Sequence, residues 1–238
     1  MSQLVVALDV PSPDDAERLI DELYELDLIY KVGMESLYGY AQRVFSYMEA
    51  RDVRHFIDAK LHDIPRTVAA GVKQLVRYGT HIVNVHALGG TEMMRAAVTA
   101  ANERADELGM THPHVFAVTI LTSMSQGDLL DVGLGGDPLE NAVRLARLSK
   151  DAGCSGVVCS AHESRDIKTA LGNEFLTLTP GVRPAEAAHG DQKRVTTPAE
   201  AVRAGADYLV VGRPITQAPD AFAAARAILD EMQRTVPS

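Results

Sequence analysis

The chain has 238 residues, 46% of them hydrophobic, enough for one large core or two small ones. Its formal net charge of −9 argues against nucleic acid or an anionic membrane as partner. Any anionic substrate must therefore be met by a few locally placed cations, and with aromatics at 5% no stacking platform for single strands stands out.

Met1-Ser2-Gln3 runs straight into a strand, without the basic and apolar regions of a leader, and no apolar run reaches membrane-spanning length. The first strand is the continuous apolar run Leu4 to Leu8, ending in Asp9, a pattern of burial on both faces. Pro11 to Asp15 supplies a turn and helix start, and apolar Ala16, Leu19, Ile20 and Leu23 recur at helical spacing. Leu28 to Val32 reads as the second strand, with Lys31 near its end and Gly33 beyond, then one helix to about Ala50. The third strand leads through Phe56 and Ile57 into Asp58, Lys60 and Asp63, and Pro65 opens a helix to Tyr78 that Gly79 ends. His81 to His86 forms the fourth strand, with Gly89-Gly90 and a long helix to Leu108 after it.

Val115 to Leu121 reads as the fifth strand, ending in Thr122-Ser123-Met124. A short helical piece, a Gly-rich loop from Gly133 to Pro138 and a helix to Ala152 follow. Gly156 to Cys159, Phe175 to Thr179 and Tyr208 to Val211 complete eight strands, with a helix after the sixth and an Ala-rich helix at the end. Cys154 and Cys159 read as small buried hydrophobes on one short strand in a reduced cytosol. Eight short apolar strands alternating with helices predict a single-domain α/β chain, a (β/α)8 TIM barrel over residues 1–238. No Gly-x-Gly-x-x-Gly opens a helix, so a Rossmann fold has no support.

Barrel active sites stand at the C-terminal ends of the strands. Asp9, Lys31, Asp58 and Lys60 all fall there, after strands one, two and three, with Thr122 and Ser123 after strand five. Asp58 and Lys60, two apart on a strand, share a face, and charges in so apolar a strand must be paired or functional. A lysine between two carboxylates, Asp58 and Asp63, favours its charged form. The connection from Pro180 to Thr196 is long for a barrel loop and suggests a lid. Phosphate commonly binds after strands seven and eight, where Gly212-Arg213 offers backbone N–H groups and a guanidinium; Lys193 and Arg194 are weaker candidates. The histidines show no zinc spacing: His112 and His114 share a face at the start of strand five, while His81 and His86 face opposite ways.

The chain resembles the bacterial orotidine 5′-monophosphate decarboxylases over essentially its whole length. The resemblance rests on Val6-Ala7-Leu8-Asp9, Lys31-Val32-Gly33, Asp58-Ala59-Lys60-Leu61-His62-Asp63-Ile64-Pro65 and Leu121-Thr122-Ser123-Met124. Pro180-Gly181-Val182-Arg183-Pro184, Gly190-Asp191-Gln192-Lys193-Arg194-Val195 and Val211-Gly212-Arg213-Pro214 complete it. It implies a cytoplasmic enzyme of pyrimidine synthesis that converts orotidine 5′-monophosphate to UMP and carbon dioxide without metal or organic cofactor. By the same resemblance Lys60 is the proton donor, Asp58 faces the departing carboxylate, and Lys31 and Asp9 hold the ribose. Thr122 and Ser123 contact the nucleotide, and Pro180, Arg183, Gln192, Gly212 and Arg213 lie on the phosphate side. Asp63, Ile64 and Thr67 are expected to complete the partner's site in a homodimer. Two rivals remain: a metal-dependent phosphosugar lyase or aldolase sharing Asp-x-Lys-x-x-Asp, which needs further carboxylate ligands, and a non-catalytic sensor of phosphate ligands.

Overall fold

Strands that read as unbroken apolar runs must be covered on both sides, and the computed structural model, which describes residues 2–184 and 196–235, shows how. β1 (Gln3–Ala7), β2 (Ile29–Val32), β3 (His55–Leu61) and β4 (Ile82–His86) pair in parallel in sequence order. β5 (His114–Val118), β6 (Gly156–Val158), β7 (Leu176–Thr179) and β8 (Tyr208–Val211) continue the order, and β8 pairs with β1 to close the barrel. The single (β/α)8 barrel expected from the strand count is the fold observed.

Helices cover the outside. α1 (Pro13–Leu23), α2 (Met34–Gly39), α3 (Ala41–Ala50), α4 (Pro65–Val76) and α5 (Thr91–Leu108) serve the first half. α6 (Gln126–Asp131), α7 (Pro138–Asp151), α8 (Ala161–Leu171), α9 (Pro198–Arg203), α10 (Arg213–Thr216) and α11 (Ala221–Thr235) serve the second. Leu19 and Leu23 of α1, Met48 of α3 and Ile228 of α11 pack on the outward residues of β1, β2 and β8. Val68 and Val72 of α4, Met94 and Ala101 of α5 and Leu145 of α7 cover β4 to β6 in the same way. Inside the barrel Val5, Ile29, Phe56, Ile82, Phe116 and Tyr208 form a separate apolar plug. Side chains alternate along a strand, so the next inward positions toward the mouth, two residues on, are Lys31, Asp58 and Asn84.

Several local expectations change. The single helix expected after β2 is two, α2 and α3, broken at Tyr40, whose backbone leaves helical geometry at φ −155° and ψ 22°. The Tyr40 hydroxyl donates to the Val10 carbonyl and accepts from Ser36 Oγ, which ties the break to the loop after β1. β5 ends at Val118, three residues before Leu121: its last ladder bond runs from the Thr119 N–H to the Val158 carbonyl, which also accepts from the Thr119 hydroxyl, and the chain then turns at Thr122 and Ser123. The helix that the strand–helix alternation expects after β7, without bounds from the sequence, is α9, where Thr197 and Glu200 form a reciprocal cap with Pro198 at its first turn. Cys154 and Cys159 flank β6 rather than lying on it; both are buried and free, and burial pushes their thiols up to about 12. His112 lies outside β5, 2.8 Å from Asp106, so it shares no strand face with His114. No helix among the described residues is long and apolar enough to cross a membrane.

Candidate active site

The inward positions at the mouth carry a line of alternating charge across three adjacent strands. Lys31 Nζ lies 3.0 Å from Asp9 Oδ1 and 3.3 Å from Asp58 Oδ2, and Lys60 Nζ lies 2.6 Å from Asp58 Oδ1. Lys31 and Asp58 are 8% and 7% exposed, far below what either residue type tolerates unpaired. Burial by itself pushes the Asp58 carboxyl up. The charges of Lys31 and Lys60, with hydrogen bonds from Lys60 and Asn84, outweigh it and hold the carboxyl below its ordinary range. The four ionisable residues expected at the mouth are thus all brought together.

One expectation changes. The lysine between two carboxylates is Lys31, held by Asp9 and Asp58, whereas Lys60 meets Asp58 within the chain. Asp63 is exposed, and its Oδ1 accepts from the N–H of Ile64 at 2.6 Å instead of reaching Lys60. The turn from His62 to Thr67 is exposed throughout, Ile64 to 65%.

Lys60 reaches Asp58 through an irregular backbone. The β3–β4 register runs Ile57↔Val83 and then Leu61↔Val85, so two extra residues bulge from β3. Lys60 sits there at φ +48°, a left-handed conformation that costs a non-glycine residue about 1 kcal/mol. Asn84, fully buried on β4, supports it: its Oδ1 accepts from the Lys60 backbone N–H and its Nδ2 donates to Asp58 Oδ1, both at 2.7 Å. Sequence reasoning passed over Asn84. The available signal was an amide inside the apolar run Ile82-Val83-Asn84-Val85, since a buried polar group needs partners.

Gly33, at the end of β2, is required by close approach. A Cβ there would stand 2.7 Å from Asp9 Oδ1 and 2.8 Å from Lys31 Nζ. His62 and His86 meet across β3 and β4 with ring centroids 5.5 Å apart, and burial, followed by the charges of His62 and Lys60, lowers the His86 pKa.

The remaining candidates follow β5, β7 and β8 in the chain. Thr122 and Ser123 lie in a turn beyond β5, half-buried and exposed respectively. Pro180 is half-buried after β7, and Arg183 is buried at 7% exposure. The long connection departs and returns at one point: Val182 bridges Thr196, and the Arg183 N–H donates to the Thr196 carbonyl at 3.0 Å. Gln192, Lys193 and Arg194 lie outside the described residues. Gly212 precedes α10 after β8, and Arg213 opens that helix with its side chain exposed. Among the described residues no three His, Cys, Asp or Glu side chains group as a metal site.

The protein-family model for orotidine 5′-phosphate decarboxylase / HUMPS matches residues 2–228. Orotidine 5′-phosphate decarboxylase of Moorella thermoacetica is 47% identical over 232 residues, 97% of this chain and 92% of the relative. The enzyme of the same name from Vibrio parahaemolyticus is 43% identical, with 97% of each chain covered. The crystal structure of orotidine 5′-phosphate decarboxylase from Lactobacillus acidophilus superposes with a TM-score of 0.85 at 34% identity, over 98% of this chain and 99% of that one. The matched segment spans every strand of the barrel and the whole charged line at its mouth, and the chain belongs to the orotidine 5′-phosphate decarboxylase / HUMPS family.

Proposed function

We propose that this chain decarboxylates orotidine 5′-monophosphate to UMP and carbon dioxide, in the last step of UMP synthesis, through the line Asp9–Lys31–Asp58–Lys60. One observation carries the reading: a buried carboxylate, Asp58, held between two ammonium groups at the mouth of the barrel. In this reaction the bond from the pyrimidine ring to its carboxylate breaks. The electron pair stays on the ring carbon, carbon dioxide leaves, and a proton takes its place. That carbon gains little resonance help, so fixed charge has to stabilise it.

Lys60 has the reach and the charge for both tasks. Its ammonium stabilises the developing carbanion and then delivers the proton, leaving a neutral amine that solvent reprotonates. Asp58 is kept ionised by its neighbours, so a substrate carboxylate set against it is repelled, and the repulsion disappears as neutral carbon dioxide forms. Lys31, tied to Asp58 and Asp9, fixes the line and with Asp9 offers polar groups to the ribose hydroxyls. Thr122 and Ser123 approach the pyrimidine side. Pro180, Arg183, Gln192, Gly212 and Arg213 serve the phosphate, and binding energy from that remote group drives closure over the reacting carbon.

The exposed turn from His62 to Thr67 supports a homodimer in which Asp63, Ile64 and Thr67 complete the partner's site. Ile64 is a large apolar side chain left in solvent beside a charged mouth, as is Leu88 after β4, and a two-fold contact would cover both. The chemistry of the donor set favours the nucleotide reaction over a metal-dependent phosphosugar lyase. Both oxygens of Asp58 already face ammonium groups, so a cation bound there would meet two like charges. The test is turnover of orotidine 5′-monophosphate, followed as carbon dioxide release, with and without a chelator. Release that survives the chelator is expected. No release from the nucleotide overturns the reading, and loss of activity with the chelator restores the rival.

A further inference from the structure

Asn84 touches both ends of the pair on which the reaction depends, and it does so from another strand. Its carbonyl takes the backbone N–H of Lys60, which lies in the β3 bulge at φ +48°. Its amide nitrogen donates to Asp58 Oδ1, the same oxygen that receives the Lys60 ammonium at 2.6 Å. Asp58 Oδ2 is left to Lys31. The amide can face only one way: turned over, its NH2 would meet an N–H and its carbonyl a carboxylate. Full burial between Val83 and Val85 denies it water as a substitute partner.

We infer that Asn84 is a positioning residue for the decarboxylation, a bracket that sets the backbone of Lys60 and the carboxylate plane of Asp58 together. It holds the proton donor where the reacting carbon will lie while taking no part in binding the nucleotide. The inference rests on the proposed roles of Lys60 and Asp58. Serine, alanine or leucine cannot supply an acceptor and a donor at these two points, and aspartate supplies the acceptor alone.

The experiment measures kcat, KM and UMP affinity for Asn84→Ala and for the isosteric Asn84→Asp, with Lys60→Ala alongside and folding followed by circular dichroism. Both Asn84 variants are expected to lose kcat by about ten- to a hundredfold, the range for residues that orient a catalytic group, with UMP affinity within about threefold of wild type. Asn84→Asp has a second signature. Its new carboxylate faces Asp58, with Lys31, Lys60, Asp9, His62 and His86 as the other titratable groups about the mouth. Protonation restores a donor, so its deficit in kcat relative to wild type should shrink as pH falls. That of Asn84→Ala should stay constant.

Unchanged kcat in a folded Asn84→Asp overturns the inference, as does an equal loss of kcat and UMP affinity in both variants. If Asn84→Ala fails to fold, the isosteric variant alone decides. An active Lys60→Ala overturns the reading underneath, and the two failures are therefore distinct.

Discussion

Replacing Gly33 by alanine should damage the site while sparing the barrel. The backbone there, at φ −94° and ψ −173°, is open to any residue, so no conformational strain is introduced. The new Cβ would lie 2.7 Å from Asp9 Oδ1 and 2.8 Å from Lys31 Nζ, closer than the 3.0 Å that real Cβ contacts respect. Both atoms end flexible side chains, so they retreat and the strands stay. Each must move by roughly half an ångström to recover an ordinary contact. The Lys31–Asp9 contacts, now 3.0 and 3.3 Å, then lengthen beyond hydrogen-bonding range. Hydrogen bonds to charged groups contribute about 1.5–3 kcal/mol. Asp9 is half-exposed, which favours the lower end, so kcat/KM should fall by about tenfold. Initial rates with orotidine 5′-monophosphate, together with thermal unfolding, test this. Gly39→Ala, at the far end of the short helix α2 that Gly33 precedes, is the control, because a Cβ there meets nothing within 4 Å. A folded Gly33→Ala with wild-type kcat/KM would refute the claim that the spacing of Asp9 and Lys31 matters to turnover.

Lys60→Ala should lower kcat by at least about a thousandfold while the circular dichroism spectrum stays native; near-normal turnover would remove Lys60 from the chemistry. Arg213→Ala should weaken the nucleotide and slow its decarboxylation, yet leave the rate with orotidine lacking its phosphate nearly unchanged. Equal losses on both substrates would remove Arg213 from the phosphate side. The proposed shared-site homodimer predicts that Lys60→Ala and Asp63→Ala variants, each impaired, recover activity when their dimers are dissociated, mixed and reassociated. With random exchange about a quarter of sites regain both residues, and no recovery despite proven mixed dimers would exclude a shared site. Burial, with the charge of His114 next, pushes His81 down to about 4, so folding favours its neutral form. Its contribution is therefore complete above the unfolded value of about 6.5 and is lost as pH falls from there toward 4. His81→Gln should lose less stability than wild type between pH 7 and 4, by about 2 kcal/mol after allowing for its partial exposure, as read from urea unfolding. Identical pH slopes would contradict that.

The barrel and most of its mouth were legible in the amino-acid order, because strand burial and strand-end position are local properties. A run such as Leu4 to Leu8 must be covered on both faces whatever covers it, and Asp9 or Lys31 at the end of such a run lies at the catalytic rim of any parallel barrel. The caps are equally local: Thr197-Pro198-Ala199-Glu200 marks the start of α9. What the linear order could not show is which charges pair. Asp58 and Lys60 looked like strand neighbours joined by Asp63, but the bulge in β3 and the outward turn leave Asp63 in solvent and hand the second carboxylate to Lys31. Asn84 lies 24 residues beyond Lys60 and reaches it only because β3 and β4 are adjacent in the closed sheet. Gly33 became necessary only once Asp9 and Lys31 folded over it. Composition and period decide which face of a strand is buried. Distances between side chains of different strands depend on register and closure, and those exist only in the folded barrel.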